Sequence, residues 1–207
     1  MRLEEILKEI QEELLVKDEI KTQIENITRR IVRLTKKAIF LAHQEQFDLA
    51  GEVLEEADNL VSELKRLVKD NPEFSCYGSV NVAFQEFAEA QLYLSIAKNE
   101  GYKSPTEIGV PAPQYVLGLA DCIGELRRRI LDLIRVGRVS EAEETLKRMD
   151  EIFTELNVNT DLQILISGLR RKNDIARKII EASRGDVTVE VRRSALEKLI
   201  KKLLNQR

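Results

Sequence analysis

A long apolar stripe near the start of the chain constrains the fold most. Ile20, Ile24, Ile27, Ile31, Leu34, Ala38 and Leu41 alternate steps of four and three. That spacing aligns side chains along one side of an α-helix, as in a coiled coil. Leu3, Ile6, Leu7, Ile10 and Leu14 carry the stripe upstream, with a slip of phase near Lys17-Asp18. A continuous helix of about 40 residues measures about 60 Å, more than the width of one small domain. Part of the stripe is therefore expected to pack against another subunit.

The same helical spacing recurs downstream. It predicts a second helix from about Phe47 to Val68, stopped at Asn71-Pro72 because the residue before proline leaves the helical region. A third is expected from about Val80 to Lys98, started at Gly78-Ser79. Residues 99–112, with Gly101, Ser104, Pro105, Gly109 and Pro111, read as a loop. A fourth helix runs from about Pro113 to Val136. A fifth is opened by the capping-box pattern Ser140-x-x-Glu143 and reaches about Leu156. Thr160 can cap a sixth, which should stop near Gly185, and Asp186 can cap a last one carrying Val191, Ala195, Leu196, Leu199, Ile200 and Leu203. No alternating strand pattern bounded by hairpin turns is present. The expectation is all-α: a single domain over 1–207, a bundle of six to seven antiparallel helices with a long first helix.

Composition narrows the function. With 43% apolar and 33% charged residues, the chain can bury a core and is not a disordered type. No apolar run nears the roughly 20 residues that span a bilayer, so no membrane role is expected. Met1-Arg2-Leu3-Glu4-Glu5 enters a charged pattern without a secretory signal's apolar segment. With only Cys76 and Cys122 as cysteines, a reducing cytoplasm is the default. The net charge of −3 excludes nucleic-acid binding by bulk charge, which favours basic proteins. Local basic stripes would have to do it.

His43 is the only histidine. That removes two-histidine nuclease mechanisms and histidine-rich zinc sites, and no phosphate-cradling glycine loop or nucleophile elbow appears. Carboxylates remain. Glu86 and Glu89 are three apart in Val82-Ala83-Phe84-Gln85-Glu86-Phe87-Ala88-Glu89-Ala90, and so share a face of a helix that is apolar nearly all round. Asp121 and Glu125 are four apart, and Asp121 interrupts the apolar run Tyr115–Ala120. A carboxylate buried there needs a proton, a partner or a cation. If the two helices face each other, four carboxylates converge, and a hard ion such as Mg²⁺ or Mn²⁺ relieves their repulsion. The competing explanation is a salt bridge from Asp121 or Glu125 to Arg128 or Arg129. Solvated acid pairs such as Glu141/Glu144 show how common the spacing is.

Arg30, Arg33 and Lys37 share one face of the first helix, flanked by Arg29 and Lys36. Arg127-Arg128-Arg129, Arg170-Arg171-Lys172 and Arg192-Arg193 are further clusters. Each could neutralise phosphates, although basic residues on an outer helix face more often only solvate it.

The segment Tyr115-Val116-Leu117-Gly118-Leu119-Ala120-Asp121-Cys122-Ile123-Gly124-Glu125-Leu126-Arg127-Arg128 resembles the signature of the translin/TRAX family. Phe84-Gln85-Glu86-Phe87-Ala88-Glu89-Ala90 is similar to the matching upstream helix of TRAX, and Arg171-Lys172-Asn173-Asp174 to the C-terminal part of translin. The resemblance covers roughly residues 20–205 and is strongest over 80–130. It implies a seven-helix bundle assembled into a hollow shell, here a homo-octamer like that of archaeal members. It also implies a Mg²⁺-dependent endoribonuclease acting on single-stranded RNA, with Glu86, Glu89, Asp121 and Glu125 as its catalytic and metal-binding acids. The alternative it leaves open is a translin-type protein that binds single-stranded RNA or DNA without cutting it. The chain departs from TRAX in having no basic N-terminal extension. Arg30, Arg33 and Lys37 are therefore assigned to nucleic acid on helical phase alone.

Overall fold

The computed structural model describes residues 2–205, and every regular element among them is helical. The helices are α1 Leu3–His43, α2 Phe47–Asp70, α3 Gly78–Ala97, α4 Pro105–Ile108, α5 Ala112–Arg135, α6 Val139–Val158, α7 Thr160–Leu165 and α8 Leu169–Leu204. A 3-10 turn, Pro72–Cys76, lies between α2 and α3. They form two compact units, Met1–Tyr115 and Val116–Arg207. No helix among the described residues is long and apolar enough to cross a membrane.

In the first unit α1 and α2 form an antiparallel hairpin. Gln23 reaches Glu63 and, two turns further along α1, Arg30 reaches back to Glu56. The apolar stripe supplies its seam: Ile24, Ile27, Ile31, Leu34 and Ala38 are buried against partners that include Leu54, Ala57, Val61 and Leu64. Burying each large aliphatic side chain stabilises by roughly 1.5–3 kcal/mol. α3 runs alongside α1 in the same direction, with Ser79 and Val82 near Thr28–Lys36 and Tyr93 near His43. α3 also packs against α2. Its all-round apolar sequence matches this central place, and Phe84, Phe87, Ala88, Leu92 and Tyr93 are all buried.

α1 is continuous through Lys17-Asp18, and its first buried residue is Ile24. Leu3, Leu7, Ile10 and Leu14 stay 46–70% exposed. The upstream stripe thus finds no cover in its own unit.

In the second unit α6 and α8 are antiparallel. Asp150 pairs with Arg184, Phe153 lies under Arg177, and the Leu156 carbonyl accepts from Asn173 Nδ2. Two ion pairs link α5 to α8, Asp121 with Lys172 and Arg127 with Asp186. Cys122, Ile123, Leu126, Ile130, Met149, Leu169 and Ile180 form the core of this unit.

Three sequence expectations need correction. The last two expected helices are one. α8 passes through Gly185-Asp186 without a break, because Val187 beyond the glycine is buried and Asp186 is engaged by Arg127. The real break lies earlier, at Gly168, whose φ of 87° is a left-handed conformation open to glycine and strained for other residues. This makes Thr160–Leu165 a six-residue helix of its own. The capping box at Ser140 is not used. α6 starts two residues earlier, with Arg138 at its N-cap and its guanidinium on Glu141. Residues 99–112 are not all loop, for Ser104 and Glu107 make a capping box that opens α4.

Candidate active site and nucleic-acid interface

Glu86 and Glu89 sit on α3 in the first unit, Asp121 and Glu125 on α5 in the second. All four are half-buried. The helical spacing puts each pair on one face of its helix, between buried neighbours: Phe87, Ala88 and Ala90 for the first, Ala120, Cys122 and Leu126 for the second. The apolar setting read from the sequence is therefore present around both.

Asp121 has a partner that the sequence did not disclose. Lys172 Nζ donates to Asp121 Oδ1 at 2.5 Å, and each side chain keeps only 26% of its exposure. This counter-charge comes from α8, 51 residues away in sequence. Lys172 lies in the first turn of α8, beside Arg170 and Arg171, and that turn holds no acid. Three cations there oppose the helix dipole, which favours negative charge at an N-terminus. Asp121 offsets part of that cost. Asn173, the next residue, is buried, and its Oδ1 has no hydrogen-bond partner.

Within neither unit are three His, Cys, Asp or Glu side chains among the described residues gathered around one point. The donor set nevertheless suits a hard cation. Mg²⁺ takes oxygen ligands only, keeps several waters, and is usually held by one or two carboxylates plus substrate phosphate. The half-buried i,i+4 pair Asp121/Glu125 meets that requirement, once Asp121 Oδ1 is shared or released by Lys172.

Arg30, Arg33 and Lys37 are all exposed on α1. Arg30 turns toward α2 and pairs with Glu56 at 3.6 Å. Arg33, by contrast, lines an open groove of about 440 Å³ between α1 and α3, together with Arg29, Lys36, Thr28, Val32, Ser79 and Val82. Arg29 and Lys36, read from the sequence only as flanking residues, thus stand with Arg33 on the rim of a groove with an apolar floor. His43 is half-buried, stacks obliquely on Tyr93 at 4.8 Å between centroids, and its Nδ1 lies 2.9 Å from the Tyr93 hydroxyl.

No family model matches the chain. An uncharacterized protein of Methanocaldococcus jannaschii is 30% identical over 190 residues, 90% of this chain and 83% of that protein. Among solved structures, AfC3PO superposes with a TM-score of 0.75 at 30% identity, covering 92% of this chain and 97% of its own. The complex of AfC3PO with duplex RNA gives 0.81 at 28% identity, over 89% and 95%. Apo-NeC3PO gives 0.80 at 25% identity, over 89% and 96%. Near-complete coverage of an all-helical fold, at an identity that reaches 30%, places the chain in the translin/TRAX family, to which the C3PO structures belong.

Proposed function

We propose that this protein is a divalent-metal-dependent endoribonuclease acting on single-stranded RNA. The observation that carries the proposal is the half-buried acid pair Asp121/Glu125, standing in the family's signature segment within a fold shared with proteins solved as C3PO, one of them bound to duplex RNA. Glu86 and Glu89 form a like half-buried pair on α3, in the other unit.

The chain's own residues have definable roles. Asp121 and Glu125 present carboxylate oxygens from one face of α5, the donor type a hard divalent ion takes. A carboxylate from either pair can accept a hydrogen bond from the attacking water and orient it, or take its proton as water adds to phosphorus and a P–O bond breaks. Mg²⁺ or Mn²⁺, when bound, would neutralise charge on the phosphodiester oxygens and acidify water. Arg29, Arg33 and Lys36 offer positive charge to the sugar–phosphate backbone, with Arg30 and Lys37 on the neighbouring surface. The exposed stripe Leu3, Leu7, Ile10 and Leu14 supports a homo-oligomer, a closed octameric shell in this reading, because so many aligned apolar residues are rarely left to solvent.

The test is cleavage of labelled single-stranded RNA with Mn²⁺, with EDTA, and by Asp121→Asn and Glu125→Gln. Cleavage that needs Mn²⁺ and disappears in both variants, while RNA binding persists, is the expected result. Full activity in EDTA sinks it. One observation favours a second reading, a non-catalytic RNA- or single-stranded-DNA-binding protein: Asp121 already has a counter-charge in Lys172. RNA retained uncut in the presence of Mn²⁺ would establish that alternative.

A further inference from the structure

We infer that Lys172 is a built-in competitor for the divalent ion at Asp121, a side-chain cation that occupies the carboxylate until an ion displaces it. The inference rests on the metal-dependent reading above and extends it to a residue outside the acidic set.

Three observations carry it. Lys172 Nζ lies 2.5 Å from Asp121 Oδ1, so one of the two carboxylate oxygens a metal could take is already in use. Both side chains are only 26% exposed, which distinguishes this pair from Arg30–Glu56, Lys147–Glu144 or Arg184–Asp150, whose side chains are 40% exposed or more. Lys172 also sits where a helix disfavours a cation, in an acid-free first turn shared with Arg170 and Arg171. Its place is therefore explained by the carboxylate it meets rather than by its own helix.

An ammonium and a divalent ion on one carboxylate repel each other across a few ångströms of shielded space. The two therefore compete for the carboxylate's charge. Lysine is suited to this exchange. Its four-carbon stem lets the charge swing away without moving α8, and as a point charge it gives up a single contact. Lys172 thus stabilises the carboxylate while no ion is bound, and weakens the ion's hold by the free energy of breaking the pair. It acts through Asp121 and is a positioning residue.

The test is titration of the full chain with Mn²⁺ alone, without RNA, followed by electron paramagnetic resonance. Lys172→Gln should tighten Mn²⁺ binding by roughly 5- to 30-fold, the equivalent of an ion pair worth about 1–2 kcal/mol. Lys172→Met, which keeps most of the apolar stem, should do the same and guards against a folding defect in the first variant. Lys172→Arg, which keeps the charge and can grip both carboxylate oxygens, should not tighten Mn²⁺ binding, and Asp121→Asn should lose the site. A residue that only holds the fold would leave affinity unchanged or lower it on removal. Unchanged or weaker Mn²⁺ binding in both Lys172→Gln and Lys172→Met, in a parent that binds Mn²⁺ and cuts RNA, overturns the inference and leaves the nuclease standing. Absence of Mn²⁺ binding in parent and variants alike removes both.

Discussion

The Asp121–Lys172 pair makes a quantitative prediction about stability that needs no metal. Exposed ion pairs contribute about 0.2–1 kcal/mol. Removing one partner of a fully buried pair costs about 3–5 kcal/mol, chiefly because the other charge is left without compensation. With both side chains 26% exposed, this pair falls between those limits. Asp121→Asn in EDTA should cost about 1.5–3 kcal/mol, because the Lys172 ammonium then lies in the acid-free first turn of α8 with its neighbours Arg170 and Arg171. Lys172→Gln should cost somewhat less, since Asp121 keeps a route to water. The double variant should recover part of both losses, giving a coupling of about 1–2 kcal/mol. Urea denaturation of the four proteins in EDTA measures it. Arg30–Glu56, at 3.6 Å with both side chains more than half exposed, is the internal control and should show a coupling near zero. Equal couplings at the two pairs would mean that Asp121–Lys172 is an ordinary surface contact. The shielding that underlies the competitor argument would then not exist.

Other perturbations test the fold. Gly185→Ala should stabilise the protein by up to about 1 kcal/mol in a urea melt, because Gly185 is helical and an added Cβ meets nothing within 4 Å. If Gly185 ended a helix, the same change would destabilise. Gly168→Ala should cost about 1–2 kcal/mol, since a φ of 87° puts its Cβ against the following carbonyl. The Ser104 hydrogen bonds hold the Glu107 carboxyl below its ordinary 4.5. A carboxylate so lowered adds stability above the unfolded value and loses it as pH falls through the folded one. The melting gap between the parent and Glu107→Gln should therefore persist from neutral pH to about 4.5 and close below it. Leu7→Glu combined with Ile10→Lys should lower the mass seen by light scattering at unchanged helicity, because both residues are exposed within their own unit. An unchanged mass would remove the N-terminal stripe from the proposed assembly.

Periodicity made most of the fold legible. α1, α2, α3 and α5 lie within a few residues of where apolar spacing puts them, because each buries a continuous face and the spacing is the trace of that burial. The errors fall where a local signal competes with packing. Gly185 and Asp186 look like a stop followed by a cap, but the buried Ser183 and Val187 on either side draw the helix through, at a cost of roughly 1 kcal/mol for the glycine. Gly168 looks no different in sequence, yet it holds the left-handed turn. Ser140 and Glu143 carry a capping pattern, but the Arg138 guanidinium fixes the start of α6 through Glu141, whose carboxyl it holds below the ordinary range.

The site divides along the same line. That Asp121 interrupts an apolar run is a local fact, and from it follows the need for a counter-charge. Which charge answers is not local. Lys172 reaches the carboxylate from α8, 51 residues off in sequence. Helical phase named Arg30, Arg33 and Lys37 on α1, and of these Arg33 lines the groove beside α3. Arg29, Arg33 and Lys36 line the groove, because α3 packs beside that flank, while Arg30 faces α2 and is taken by Glu56. A one-dimensional pattern ranks residues by the helix they ride on. The groove and the counter-ion belong to pairs of helices, so each is decided by a neighbour the pattern does not contain.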